Sequence, residues 1–318
     1  MPVRPIEPAD HRHAARIGDQ NERRLASVVA HGSSTSVSSA GQPDRLFAGY
    51  LFDLDGTIYL GDQLLPGARG LVEILTSLGR KILFLTNNPT RSPEDYAAKL
   101  TRLGIPTAHD QVLNTVATMT SWLVRHHRHA TVFPISEAPL KRSLAHAGIR
   151  MSEDPTQIDF VIASYDRAFD YRKLQIAFDA IRTHGRARLI TTNPDRFCPL
   201  PGGRGEPDAA AVIGAIEGCT GIRCEQNTGK PDPYMLEAAL ERLGLTAADC
   251  VMVGDRLTTD IRMAIDGGMR SALVLSGDTT WETLRASRPD DYPTWVLERV
   301  DHVLPMAVRN GTDDISTT

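Results

Sequence analysis

The stretch "LFDLDGTIYLG", residues 51–61, decides how this chain is read. Leu51 and Phe52 lead straight into Asp53, and a second acid, Asp55, follows two positions later. Alternate residues of an extended segment share a face, so both carboxylates point into one pocket. Two carboxylates held close are unfavourable unless one is protonated or a cation lies between them. A helix cap needs one acid, so the second is accounted for by a metal and a reaction.

Around this stretch, apolar runs alternate with helical patterns. "AGYLFDLD", "RKILFLT", "DCVMVGD" and "SALVLSGD" are short, nearly continuous apolar runs of the kind buried on both faces of a parallel sheet. The helical segments "ARGLVEILTSLG", "PEDYAAKLTRLG" and "PYMLEAALERLG" end in Leu-Gly, and "TDIRMAIDGG" ends in Gly-Gly, as helix termini do. Such alternation predicts an α/β fold, a doubly wound parallel sheet. A second set, "ATVFPI", "DFVIASYD" and "ARLITTNPD", lacks the paired acids and predicts an inserted α/β domain over residues 129–221. The flanking segments, 46–128 and 222–305, then close one core. Residues 1–45, with the Ser/Gly-rich "HGSSTSVSSAGQPD", read as a flexible tail in which a helix fits only around Asn21 to Ala30. Residues 306–318 read as a second loose tail.

Ligands of an open parallel sheet bind beyond the carboxyl ends of its strands. There the sequence places Asp53 and Asp55, then Thr86, Asn87 and Asn88 of "LTNN", then Asp255, Thr258, Thr259 and Asp260 of "VGDRLTTD". Taken alone, Asp255 and Asp260 also read as helix caps, since "TTD" opens "IRMAI". Taken together, the carboxylates form an oxygen-lined site suited to Mg²⁺, with Asp255 as a further ligand. Lys230 of "NTGKPDPY", one of five lysines among 35 basic residues, sits among turn formers just ahead of a helix. Near a phosphoryl group its ammonium would offset the negative charge of the cluster.

Composition narrows the function classes. The 318 residues are 41% hydrophobic and 23% charged, enough for one large domain or two ordinary ones. No apolar run approaches the roughly 18–20 residues of a membrane helix. The acids Glu7, Asp10, Asp19 and Glu22 do not suit a signal or transit peptide, so a cytoplasmic location is expected. A net charge of −4 without a basic run gives no sign of nucleic-acid binding. The four cysteines form no CxxC pair and are expected to be reduced.

In order, "DLDGT", "LTNN", "GKPDP" and "VGDRLTTDI" resemble the haloacid dehalogenase (HAD) superfamily, and the large insertion between the second and third motifs resembles its NagD-like, 4-nitrophenylphosphatase branch. The resemblance covers residues 46–305 and implies a HAD-like Rossmannoid core with an inserted cap that closes over the substrate. It implies a Mg²⁺-dependent phosphatase for small phosphate monoesters, of the sugar phosphate, nucleoside monophosphate or pyridoxal phosphate class. Asp53 would be the nucleophile that becomes an aspartyl phosphate, and Asp55 the general acid and base. Thr86 and Asn87 would hold phosphoryl oxygens, and Lys230 would neutralise charge. Mg²⁺ would bind Asp53, the main-chain carbonyl of Asp55, and Asp255, while Asp260 orients Lys230 or a metal-bound water. In the cap, Asn193 and Asp195 match substrate-facing positions, and Asp166 and Tyr171 match a further cap signature. Arg196 and Arg204 read either as leaving-group contacts or as solvated loop charges. Relatives with this cap type often pair as homodimers through it, although residues 129–221 show no interface. Asp55 favours phosphate chemistry, because an alkoxide leaving group needs a proton and a halide does not. The alternatives are phosphoryl transfer to another alcohol, as in a mutase, or a weakly active binding module.

Overall fold

The computed structural model describes residues 41–200 and 204–313. The expected N-terminal tail and its helix near Asn21 lie outside the described residues, except for residues 41–45. The chain opens with β1 (Gly49–Asp53), the hairpin β2 (Tyr59–Leu60) and β3 (Gln63–Leu64), and α1 (Ala68–Ser77). It continues through β4 (Lys81–Thr86), α2 (Pro93–Arg102), β5 (Val112–Asn114) and α3 (Thr115–His126). The middle holds β6 (Thr131–Ile135), α4 (Ala138–His146), β7 (Arg150–Met151), β8 (Phe160–Ala163), α5 (Tyr171–Phe178) and β9 (Arg188–Thr191). The hairpin β10 (Phe197–Leu200) and β11 (Arg204–Pro207), then α6 (Ala209–Thr220) and β12 (Gln226–Asn227), follow. The last part is α7 (Pro233–Leu243), β13 (Cys250–Gly254), α8 (Arg262–Asp266), β14 (Arg270–Val274), α9 (Trp281–Ala286), β15 (Trp295–Leu297) and α10 (Met306–Asp313).

Two parallel sheets result. Six strands lie in the order β15-β14-β13-β1-β4-β5, and five in the order β12-β9-β8-β6-β7. In the larger sheet the side chains alternate between two apolar layers, as a strand's twofold period requires. Tyr50, Phe52, Ile82, Phe84, Val251 and Val253 pack on one face. Leu51, Leu83, Leu85, Cys250 and Met252 pack on the other. Every one of these residues is buried, which is why the sequence reads there as unbroken apolar runs. Helix α2 starts on a Ser92–Asp95 capping box with Pro93 in the first turn, and α7 ends on Gly244 at φ 60°.

The second sheet draws on more chain than the expected 129–221. Strand β12 pairs with β9, and α3 packs Val116, Met119, Trp122 and Leu123 against Val132, Phe160 and Ile190. The apolar face of α3 therefore belongs to the inserted layer, although the helix directly follows a strand of the larger sheet. The expected loose C-terminus is also corrected. Residues 306–313 form α10, which starts just after Pro305, with Val308 N–H donating to the Pro305 carbonyl at 2.9 Å. Residues 314–318 lie outside the described part. No helix among the described residues is long and apolar enough to cross a membrane.

Candidate active site

Strand register gathers the site. Asp53 ends β1 opposite Leu85, so Thr86 at the end of β4 and Asn87 after it lie just beyond. Phe52 stands opposite Val253, which brings Gly254 and Asp255 to the same end. Strand β1 lies between β13 and β4, where the sheet order reverses and open α/β sheets hold their ligands.

At this point Lys230 is buried with its Nζ 2.5 Å from Asp53 Oδ1 and 2.7 Å from Asp260 Oδ1. Asp53, Asp255 and Asp260 bring ligand oxygens within 4.8 Å of one another. One oxygen of Asp255 accepts the Asp278 N–H at 2.7 Å; the other, Oδ1, is buried and accepts no hydrogen bond among the described residues. Backbone fits tightly around these acids. Gly56 has φ 88°, and a Cβ there would lie 2.5 Å from Asp255 Oδ2; a Cβ on Gly277 would lie 2.0 Å from the same atom. Only glycine allows the chain to approach so closely.

The electrostatics follow from burial. It is the largest influence on Asp53 and raises its carboxyl above the ordinary range; Lys230 opposes the rise, and Asp260 and Asp55 add to it. Asp255 is pushed well up by burial and then by Asp53 and Asp260. Burial alone would depress Lys230, yet Asp260 and Asp53 outweigh it and raise the ammonium further. When ionised, the three carboxylates carry three negative charges against one ammonium, and a divalent cation would balance the remainder. An all-oxygen donor set, an orphaned buried oxygen and that charge balance all fit Mg²⁺.

The other predicted residues separate into those at the cleft and those away from it. Thr86, Asn87, Asp195 and Thr259 line it together with Asp53, Asp55, Lys230 and Asp255. The Asn87 side chain is occupied: its Oδ1 accepts the Lys230 N–H at 2.8 Å, and its Nδ2 donates to the Lys230 carbonyl and to Asp195 Oδ1. It therefore orders the lysine loop. Asn193 does not face the cleft. It is fully buried and donates to the Asn87 carbonyl at 3.1 Å, a strut between the layers. Asp166 is paired with Lys173 at 2.7 Å, and Tyr171 is exposed. Arg196 and Arg204 are exposed and line no part of the cleft.

Sequence reading missed several residues of the cleft. Arg256, directly after Asp255, reaches Asp195 at 3.5 Å and Asp278 at 3.8 Å. Its place within "VGDRLTTD" was the available signal. Asp208 is buried beneath the cleft wall and caps α6, and burial pushes its carboxyl up to about 7. An acid just before an alanine run marks such a cap. Phe197, Cys198 and Pro199 of β10 complete the wall, and their hairpin is tied down by the Tyr165 hydroxyl donating to Glu206 on β11. The loop after β14 also contributes. Ser276 donates to the Gly56 carbonyl at 2.7 Å, and Asp278 N–H holds Asp255. Residues of both layers line the cleft, so the inserted layer lies over the acids.

The family model for haloacid dehalogenase-like hydrolases matches residues 50–150, and a HAD-hydrolase-like model matches residues 227–303. The sugar-phosphatase AraL of Bacillus subtilis is 35% identical over 260 residues, covering 82% of this chain and 93% of that protein. Among solved structures, the 4-nitrophenylphosphatase of Thermotoga maritima aligns with a TM-score of 0.76 at 31% identity, covering 81% of this chain and 96% of that one. A putative NagD protein aligns at 0.69 and 32% identity, covering 74% of this chain and 90% of the other. The chain belongs to the haloacid dehalogenase-like hydrolases. Within them it falls in the NagD-like branch, and it is a phosphoric monoester hydrolase.

Proposed function

We propose that the chain is a Mg²⁺-dependent phosphatase for small hydroxylated phosphate monoesters, of which sugar phosphates are the first class to test. The reading is carried by the Lys230 ammonium, buried between Asp53 and Asp260 at the end of β1. The printed name of the AraL relative supports the substrate class.

In the first step an Asp53 oxygen attacks phosphorus, and the bond from phosphorus to the leaving oxygen breaks. Asp55, whose carboxyl is raised by burial against the opposing pull of Lys99, gives its proton to the departing alkoxide. In the second step water attacks the aspartyl phosphate, Asp55 takes the proton of that water, and the bond from phosphorus to the Asp53 oxygen breaks. Phosphate and the free carboxylate result. Lys230 favours the ionised form of Asp53 and offsets charge on the transferring group. Asp53, the main-chain carbonyl of Asp55, and Asp255 would hold Mg²⁺, and Asp260 holds the lysine. When bound, the ion supplies positive charge to the phosphoryl oxygens. The inserted layer lies over the acids, so substrate would enter as it lifts.

The experiment is phosphate release from a panel of phosphate monoesters, with Mg²⁺ and with EDTA. Metal-dependent release led by a sugar phosphate is expected. Equal release with EDTA would remove the metal from the reading, and no release from any ester by folded protein would overturn it.

A further inference from the structure

Tyr59 lies in the hairpin just after the paired acids and is fully buried, yet its hydroxyl points at chemistry rather than at packing. It donates to Asp55 Oδ2 at 3.4 Å, its one hydrogen bond among the described residues. It is also the one hydrogen bond that the Asp55 carboxyl receives among them. The turn between the two residues is closed by Gly56 N–H on the Tyr59 carbonyl at 2.8 Å and by Tyr59 N–H on the Leu54 carbonyl at 3.2 Å. Neither residue can shift far without the other. Lys99, a buried lysine of α2, sets its ammonium 3.6 Å from the centre of the Tyr59 ring. Its nearest carboxylate is the exposed Asp62, at 4.0 Å. A cation over the ring face draws electron density from it and makes the phenol a stronger donor.

We propose that Tyr59, backed by Lys99, is a positioning residue that holds the Asp55 carboxyl in the orientation from which it serves the leaving group. The phenol holds Oδ2, which leaves Oδ1 as the oxygen free to face the leaving group. This rests on the assignment of proton transfer to Asp55. Neither Tyr59 nor Lys99 lines the cleft. The consequence is confined to leaving groups that need a proton, because a 4-nitrophenolate departs without one and a sugar alkoxide does not.

The test is kcat/KM of the Mg²⁺-loaded full chain with a sugar phosphate and with 4-nitrophenyl phosphate, for Tyr59→Phe, Lys99→Met and Asp55→Asn. The ratio kcat/KM reads the step in which the alcohol leaves and is blind to the later hydrolysis common to both substrates. In Tyr59→Phe a loss of about tenfold or more is expected for the sugar phosphate, and under about threefold for 4-nitrophenyl phosphate. Lys99→Met is expected to shift the ratio in the same direction by less, and it keeps the question open to test should the phenylalanine variant not fold. Equal losses on both substrates, or no loss on either, would overturn the inference. Asp55→Asn separates the two levels. If it shows the sugar-selective loss and Tyr59→Phe does not, Tyr59 has no such role. If Asp55→Asn itself lacks that loss, the proton-donor assignment fails and the inference goes with it.

Discussion

The Arg256 guanidinium lies 3.5 Å from the Asp195 carboxylate, with 18% and 10% of their side chains exposed. One residue follows β13 of the larger sheet, and the other lies in the loop between β9 and β10 of the inserted layer. Asn87 also donates to Asp195, at 3.2 Å, so two groups of the larger sheet register that loop over the acids. The pair is sheltered enough to escape most salt screening. In a double-mutant cycle on kcat/KM with Arg256→Gln and Asp195→Asn, a coupling of about 0.5–3 kcal/mol is expected. Strictly additive effects would mean that the contact does not hold the layers closed.

Gly277 does not line the cleft, yet a Cβ there would lie 2.0 Å from Asp255 Oδ2. Gly277→Ala is expected to displace that carboxylate and weaken Mg²⁺ binding, read as a higher Mg²⁺ concentration for half-maximal activity. Gly70 in α1 has nothing within 4 Å of such a Cβ. Gly70→Ala should leave the Mg²⁺ dependence unchanged and stabilise the fold by about 0.5–1 kcal/mol. An unaltered Mg²⁺ requirement in Gly277→Ala would exclude Asp255 as a ligand.

Lys230→Met leaves Asp53 and Asp260 facing each other without their ammonium. Removing one partner of such a buried set destabilises by about 3–5 kcal/mol. Urea unfolding at neutral pH should register the loss, and the loss should shrink in acid as Asp53 becomes neutral. Wild-type stability at neutral pH would contradict the charge balance described here.

Asp208 gives the fold a pH dependence of definite sign. Burial lifts its carboxyl from 3.8 to about 7, so between these values the folded chain keeps a proton that the unfolded chain has released. Stability is then lost as pH rises through this window, and the loss levels off above it. Asp208→Asn retains an oxygen to cap α6 without titrating. Its stability relative to wild type should therefore grow across the window, by about 2–4 kcal/mol in all. A difference that stays flat with pH would mean that Asp208 is ionised throughout.

The larger sheet and the cluster of acids were legible because each rests on a local pattern. An apolar run that ends in acids is a buried strand delivering carboxylates to a sheet end, and Lys230 among turn formers marks a loop aimed at them. What was not legible depends on contacts far apart in sequence. Asn193 and Asp195 stand two apart in an irregular loop, where no period sets which side chain faces inward. Packing turned Asn193 onto the Asn87 carbonyl and Asp195 toward the cleft. Nothing local in the sequence singles out Tyr59, since only the closed turn carries its hydroxyl back to Asp55. The reach of α3 into the inserted layer was hidden for the same reason. An amphipathic pattern says that a face is buried and leaves open against which sheet.

The most direct measurement is a rapid acid quench during turnover of a sugar phosphate with Mg²⁺, followed by peptide mapping of the phosphoryl group. The expected result is a phosphoryl group on the peptide that carries Asp53, absent from a folded Asp53→Asn variant that no longer turns over. Turnover without any phosphoryl group on Asp53, or an Asp53→Asn variant working at the wild-type rate, would contradict the covalent route.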